Sequence, residues 1–271
     1  MATIRQKVVH YLRRFHLLRF ADYLLFLGNV FRNRKPNRTF LNDHPDFIPP
    51  PAHLAYDAYN HTNLDSYYET GLCHSRLVSD LIKKYISENE IKICEWGCGP
   101  ARVIRHLHKI GNFEKVELFG TDYNEASINW CVKYIDNIRF IRNNLEPPLP
   151  LDANTFDCIY AISIFTHLSE KLHYAWIEEL FRLLKPNGIL IFTTHGDIYA
   201  KRLMPTEKEK YDAGRLVVKS QAKEGKKYFA AYHPPQWIRK KLLENYVVVE
   251  HISNAAKYRL EQEVWCVKKK S

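Results

Sequence analysis

The segment ICEWGCGPAR, residues 93–102, constrains the fold more than any other part of this chain. A β-favouring run from Ile91 to Cys94 ends in an acid, Glu95, an aromatic residue, Trp96, and two glycines, Gly97 and Gly99, with Arg102 just beyond. Glycine lets the backbone turn sharply and lets a ligand press against bare main chain. A strand that breaks into such a turn and then a helix opens a parallel α/β sheet, in which ligands sit beyond the carboxyl ends of the strands where the strand order reverses.

The rest of the chain repeats the alternation. A helical pattern over residues 72–86 leads into the first strand, and residues 102–110 read as a helix ended by Gly111. Strands follow at 116–122 and 138–142 around a helix at 126–134. The nearly continuous apolar run FDCIYAISIF, 156–165, is the mark of a strand covered on both faces. An amphipathic helix over 169–184, with Ser169 as its cap, the KPNG turn and a strand at 189–195 come next. After a helix at 235–245, YVVVEHI and EVWCVKK are separated by too little chain for a crossover helix, so they pair antiparallel. The expected fold is α/β: a Rossmann-like, doubly wound, mostly parallel seven-stranded sheet with an antiparallel last strand, preceded by a basic helical arm.

The net charge of +10 over 271 residues is concentrated in that arm. Residues 1–40 carry nine Lys or Arg against one acid, Asp22, leaving the remainder nearly neutral. Ile4, Val8, Tyr11, Leu12, Phe15 and Leu18 recur at helical spacing, and FADYLLFLGNVF, 20–31, is apolar but too short to span a bilayer, which takes about 20 residues. Three roles fit: a peripheral helix on an anionic membrane, a helix packed on its own domain, or an RNA tether. The four prolines of PDFIPPPAHL, 45–54, read as a linker, so the arm takes residues 1–50 and the folded domain 51–271. Six scattered cysteines without a CxxC pair point to a reducing, cytoplasmic setting and away from a metal site, and residues before 20 lack a signal-peptide pattern.

Asp122, 23 residues beyond Gly99, stands close to the interval at which an acid reaches a ribose hydroxyl pair. A dinucleotide requires G-x-G-x-x-G and a bare helix N-terminus for its pyrophosphate. Here Arg102 holds the third glycine's place, and the charge of Glu95 suits a cationic ligand instead. EWGCGPAR, GTDYNEASINW, FDCIYAISIFTHLSE and LFRLLKPNGILIFTTHG, in this order, resemble the class I S-adenosylmethionine-dependent methyltransferases over roughly residues 65–271. The resemblance implies S-adenosylmethionine as cofactor, with Glu95 and Gly97 beside its methionine moiety, Gly99 giving close backbone approach and Asp122 holding the ribose. Cys98, Tyr123, Asn144, Leu145 and Ser163 complete the implied cofactor contacts. This chain departs from the family pattern in having Ala101 at the usual third glycine. Asn143 or Asn144 replaces the acid that commonly reads the adenine amino group, and an amide oxygen can still accept that hydrogen bond.

Methyl transfer to a hydroxyl needs a base past the fourth or fifth strand, where His167 and His195 stand, with Asp197 as a partner for the latter. Histidines at such positions also serve as structural hydrogen-bonders. Residues 197–234 exceed a plain connection, and RLVVK and KYFAAYHPP are expected to form a hairpin over the strand ends. Tyr228, Tyr232 and His233 from it, and Tyr67, Tyr68 and Gly71 from ahead of the first strand, are the candidate acceptor-pocket and closing residues. The fourth strand lacks the Asn/Asp-Pro-Pro-Tyr/Phe motif of amino methylation and a cytosine-type nucleophilic cysteine, so DNA is not an expected partner. FTHLSE and TTHG resemble uncharacterised bacterial methyltransferases associated with glycan assembly, which implies a hydroxyl of a small-molecule or lipid-linked glycan as acceptor. RNA methylation and a non-catalytic cofactor-binding module are the alternatives.

Overall fold

The computed structural model describes residues 18–220 and 222–270. The amphipathic pattern expected over residues 4–15 lies outside them. The chain forms two compact units that divide between Glu69 and Thr70.

The first unit contains helix α1 (Leu18–Asp43), helix α2 (Ala52–Tyr59) and the opening turns of helix α3 (Leu64–Tyr85). The proline-rich segment between α1 and α2 opens with a turn at residues 45 and 46, closed by a 3.1 Å bond from the Phe47 amide to the His44 carbonyl, and ends at Pro51 with a φ of −51° and a ψ of 137°. Polar groups fasten α1: Asn37 donates to the Thr62 carbonyl at 2.7 Å and accepts from the Leu64 amide at 2.9 Å. Asn63 caps α3 by accepting from the Ser66 amide at 2.7 Å. Tyr67 packs edge-on against Tyr59, and Tyr68 against Phe40, His44 and Phe47. These two tyrosines, expected to close over the cofactor, are engaged in the aromatic core of their own unit.

The second unit is built on a seven-stranded sheet in the order β3-β2-β1-β4-β5-β9-β8. Its strands are β1 (Glu90–Trp96), β2 (Lys115–Asp122), β3 (Ile138–Arg142), β4 (Phe156–Ala161), β5 (Leu184–Thr194), β8 (Tyr246–Ile252) and β9 (Glu263–Lys269). β1 pairs in parallel with β2 and β4, while β9 runs antiparallel to β5 and to β8, as the short tail connection requires. Helix α4 (Glu125–Tyr134) is capped by Asn124 and helix α5 (Glu170–Leu183) by Ser169. Every residue of β4 is buried, in keeping with its continuous apolar run. The core closes around Trp96, whose ring lies 4.5 Å from that of Trp176.

The insertion contains a short helix (Asp197–Ala200), helix α6 (Pro205–Asp212) and the expected hairpin, in which β6 (Val217–Lys219) pairs antiparallel with β7 (Ala230–Tyr232). Three local readings differ. KPNG is part of β5, because Leu184 already pairs with Phe156 before the register shifts and Asn187 takes a φ of 67°. The helix expected over 102–110 begins as a 3-10 turn, Ile104–His106, and becomes α-helical only at Leu107–Gly111. After Pro235–Trp237 the chain widens into a π turn, Ile238–Leu242.

Ala101 and Gly71 shape the loop after β1. Ala101 is fully buried with a φ of 57°, a conformation costing a residue with a Cβ about 1–2 kcal/mol. Gly71 lets α3 cross that loop, since a Cβ there would lie 2.3 Å from the Arg102 carbonyl oxygen. Urea titrations should therefore show Gly71→Ala destabilised by about 1–3 kcal/mol, as expected for overpacking against backbone. Ala101→Gly should be stabilised by up to about 1 kcal/mol, the relieved strain exceeding the entropy cost of glycine.

Candidate active site

The strand order reverses between β1 and β4, and a cleft opens there at the carboxyl ends of the strands. Asp122, the last residue of β2, organises it. Its carboxylate accepts from the Gly99 amide at 2.8 Å and from the Asn124 amide at 2.7 Å, and its carbonyl accepts from the Asn143 amide at 3.1 Å. The loops following three strands thus converge on one residue. The Gly97 and Cys98 amides both donate to the Thr121 carbonyl, which turns the glycine loop sharply. Gly97 has a φ of 78°, and a Cβ there would lie 2.1 Å from Cδ1 of Ile164.

The cleft is lined by the ends of β1 and β2 and by residues that follow β1, β2, β3 and β4. Of the residues assigned to the site from the sequence, Gly97, Asp122, Tyr123, Asn144, Leu145 and His167 line it. Trp96, Asn143, Ile164, Leu168, Trp176 and Gly225 also line it and were not assigned contact roles from the sequence, apart from Asn143 as an adenine-reading alternative. The aromatic residue of EWGCG and the lone glycine in the insertion were the available signals for Trp96 and Gly225.

Asn143 carries a specific recognition feature. Its Nδ2 donates to the Asn144 carbonyl at 2.6 Å, which fixes the amide's orientation, and its buried Oδ1 accepts from no group among the described residues. A buried acceptor without a donor is costly until a ligand supplies one. An adenine amino group is such a donor, so the site fits an adenosine-bearing cofactor at the position where the family's usual acid is missing.

Several expected contacts lie elsewhere. Glu95 is 3% exposed, its Oε2 accepting from the Ile104 amide and the Tyr160 hydroxyl at 3.0 Å each. Burial pushes its carboxyl up to about 8, against the lowering pull of the Tyr160 hydroxyl, Arg102 and the Ile104 amide. It braces the glycine loop from beneath and does not line the cleft. Cys98 is buried with its Sγ near Gly120, and Ser163 donates to Gln262 at 3.0 Å. Arg102, the group that could have blocked a phosphate or a cofactor, turns to Thr70 at 3.0 Å and His74 at 3.1 Å.

Residues 224–225 strap across the cleft. The Tyr123 hydroxyl donates to the Gly225 carbonyl at 2.8 Å, the Gly225 amide to the His167 carbonyl at 3.0 Å, and the Ser169 amide to Glu224. His167 is held by a 2.7 Å hydrogen bond from Nδ1 to the Phe229 carbonyl, which leaves Nε2 as its acceptor. Burial lowers its pKa, so the ring is neutral at pH 7. His195 is held likewise by Ala231 at 3.1 Å and stacks on Tyr199, but it does not line this cleft. Burial, then His167, lowers it to about 3. Asp197 accepts from Tyr211 at 2.8 Å, and the carbonyl of Ala231 takes the place expected for it beside His195.

The acceptor residues expected in the insertion also move. His233 is fully buried and bonded to His173 at 2.8 Å between their Nε2 atoms, because the hairpin folds its base inward. Tyr232 packs with Ala200, Leu203, Tyr211 and Val217 in the hairpin's own core. Tyr228 is half-buried, with the Lys227 ammonium 5.4 Å from its ring centre.

Comparison with known proteins agrees with this architecture. The methyltransferase domain family matches residues 93–188. A malonyl-acyl-carrier-protein O-methyltransferase of Bacillus anthracis is 29% identical over 147 residues, covering 54% of this chain and 50% of the relative. A tRNA N(3)-methylcytidine methyltransferase of Schizosaccharomyces pombe is 27% identical over 124 residues, covering 43% and 40%. The chain thus spans half or less of the length of these curated relatives. The PH0226 protein of Pyrococcus horikoshii shares the fold with a TM-score of 0.54 at 18% identity, covering 80% of this chain and 95% of that one. The strand order and the glycine loop give the chain a Rossmann-like methyltransferase fold, and residues 93–188 within it match the methyltransferase domain family.

Proposed function

We propose that the protein transfers a methyl group from S-adenosylmethionine to a hydroxyl oxygen of a small-molecule or lipid-linked glycan. The observation that carries this reading is His167, a neutral imidazole on the cleft wall whose Nδ1 is fixed by Phe229 and whose Nε2 is left as a base. When bound, S-adenosylmethionine supplies a methyl group on an activated sulfonium leaving group. The Asn143 Oδ1 would receive its adenine amino group, and the Asp122 carboxylate, which keeps lone pairs beyond its two backbone bonds, would hold the ribose hydroxyls. The strap at Gly225 excludes water and holds the acceptor near His167, where orientation contributes roughly 7–11 kcal/mol. Nε2 of His167 takes the hydroxyl proton.

The Bacillus relative's name, an O-methyltransferase, supports an oxygen acceptor. The Schizosaccharomyces relative's name supports a second reading, in which the basic arm delivers RNA to the same cleft. Incubation with labelled S-adenosylmethionine and fractionated extract separates the two: label in a nuclease-resistant, lipid- or glycan-containing fraction is expected, and label found only in nuclease-sensitive material would overturn the glycan reading.

Calorimetry should show Asn143→Leu weakening S-adenosylmethionine binding about tenfold, the loss of one buried hydrogen bond, with thermal stability unchanged or raised. His167→Ala should lower kcat about 10²- to 10⁴-fold with little change in cofactor affinity. Because burial lowers the His167 pKa, the unprotonated base persists below neutrality. The kcat/KM profile should therefore fall only on acidification below the usual histidine value of 6.5 and stay flat through pH 7–8.

A further inference from the structure

Helix α1 turns polar side chains inward beside Phe26 and Phe40 and leaves an apolar stripe outside. Its inward side carries Asp22, Asn33 and Asn37: Asp22 accepts from the Tyr56 hydroxyl at 3.0 Å, and the two asparagines bond to Thr62. These bonds fix the helix's rotation. Its outward side carries Phe20, Tyr23, Leu24, Leu27, Val30 and Phe31, spaced at i, i+3, i+4, i+7, i+10 and i+11 on one face, and every one is exposed. Phe20 is 63% exposed and Phe31 83%, far from the burial that such a stripe has in a packed helix.

The same face continues as Arg34, Lys35 and Arg38, three, four and seven residues beyond Phe31, all exposed. Arg34 and Arg38 line an open groove of about 790 Å³ with Val30, Asn37 and Thr62. Asp22, the sole acid of residues 18–42, is on the other side.

An occupant of this surface must offer an apolar layer beside a layer of anions. A second copy paired antiparallel along the stripe would leave Arg34, Lys35 and Arg38 at the two ends of the pair with no acid from the facing α1 to meet them. Residues 1–17, which hold Arg5, Lys7, Arg13 and Arg14 and no acid, would bring none either. A bilayer with anionic headgroups offers both layers in the required order, and no helix among the described residues is long and apolar enough to cross one. We propose that α1 docks inclined on an anionic phospholipid surface, its Phe20-to-Phe31 stripe entering the acyl boundary and Arg34 and Arg38, further along the axis, against headgroup phosphates. The inference stands apart from the assignment of the acceptor.

Flotation of the full chain with phosphatidylcholine vesicles, with and without phosphatidylglycerol, tests it. The chain should float with the anionic vesicles and not with the neutral ones. Arg34→Gln and Arg38→Gln should each lower the partition coefficient roughly fivefold, an effect erased by high salt. Phe20→Ser with Leu24→Ser and Phe31→Ser should abolish flotation at any salt, with an unchanged melting temperature because the replaced side chains are exposed. Failure to float with anionic vesicles overturns the proposal, as does flotation indifferent to these face variants. So does sedimentation showing a dimer that the face variants dissociate.

Discussion

Asp122 is the interaction on which the rest of the site depends. One carboxylate gathers the amides of Gly99 and Asn124, and the same residue's carbonyl takes the amide of Asn143. Hydrogen bonds to a charged acceptor are about twice as strong as neutral ones, so three loops from three strands are held in one arrangement before any ligand arrives. That preorganisation leaves the cleft wall rigid where the cofactor's adenosine half would lie. The strap at Gly225 is held to Tyr123 and to His167 by one hydrogen bond each, and next to it Glu224 accepts from the Ser169 amide.

The electrostatics of the site run opposite to a simple reading of its charges. Glu95 stands at the strand end where a carboxylate facing a cationic ligand is expected, yet burial favours its neutral form, and its partners are a tyrosine hydroxyl and a backbone amide. The acid that does reach the cleft is Asp122. Asp122 and the Oδ1 of Asn143 therefore fit the adenosine half that a sulfonium cofactor and a dinucleotide share, and the departure from G-x-G-x-x-G at Arg102, not an anionic rim, is what separates the two.

Much of this was legible in the sequence. Alternating strand and helix patterns, the nearly continuous apolar run of β4, the Ser169 cap and the short link between β8 and β9 each follow from local physics, and all appear as expected. The glycine loop and Asp122 were found because their spacing is imposed by close backbone approach. What was not legible depends on long-range packing: Glu95 was read as facing outward because no local pattern reveals that Tyr160, 65 residues away, turns it in. His233 looked like a pocket residue until the hairpin brought it against His173, 60 residues distant. The polarity of α1 was hidden in the same way, since its apolar residues fit a packed helix until the asparagine bonds to Thr62 turn them outward.

The central claim is that this cleft reads adenosine through an uncharged amide oxygen at Asn143, in place of the family's usual acid. A crystal structure with S-adenosylhomocysteine tests it most directly. The account predicts the adenine amino nitrogen about 2.7–3.2 Å from Asn143 Oδ1, with the Asp122 carboxylate against the ribose. An adenine ring bound with its amino group pointing away from Asn143, or a ligand seated outside the residues between Gly97 and Leu145, would contradict it.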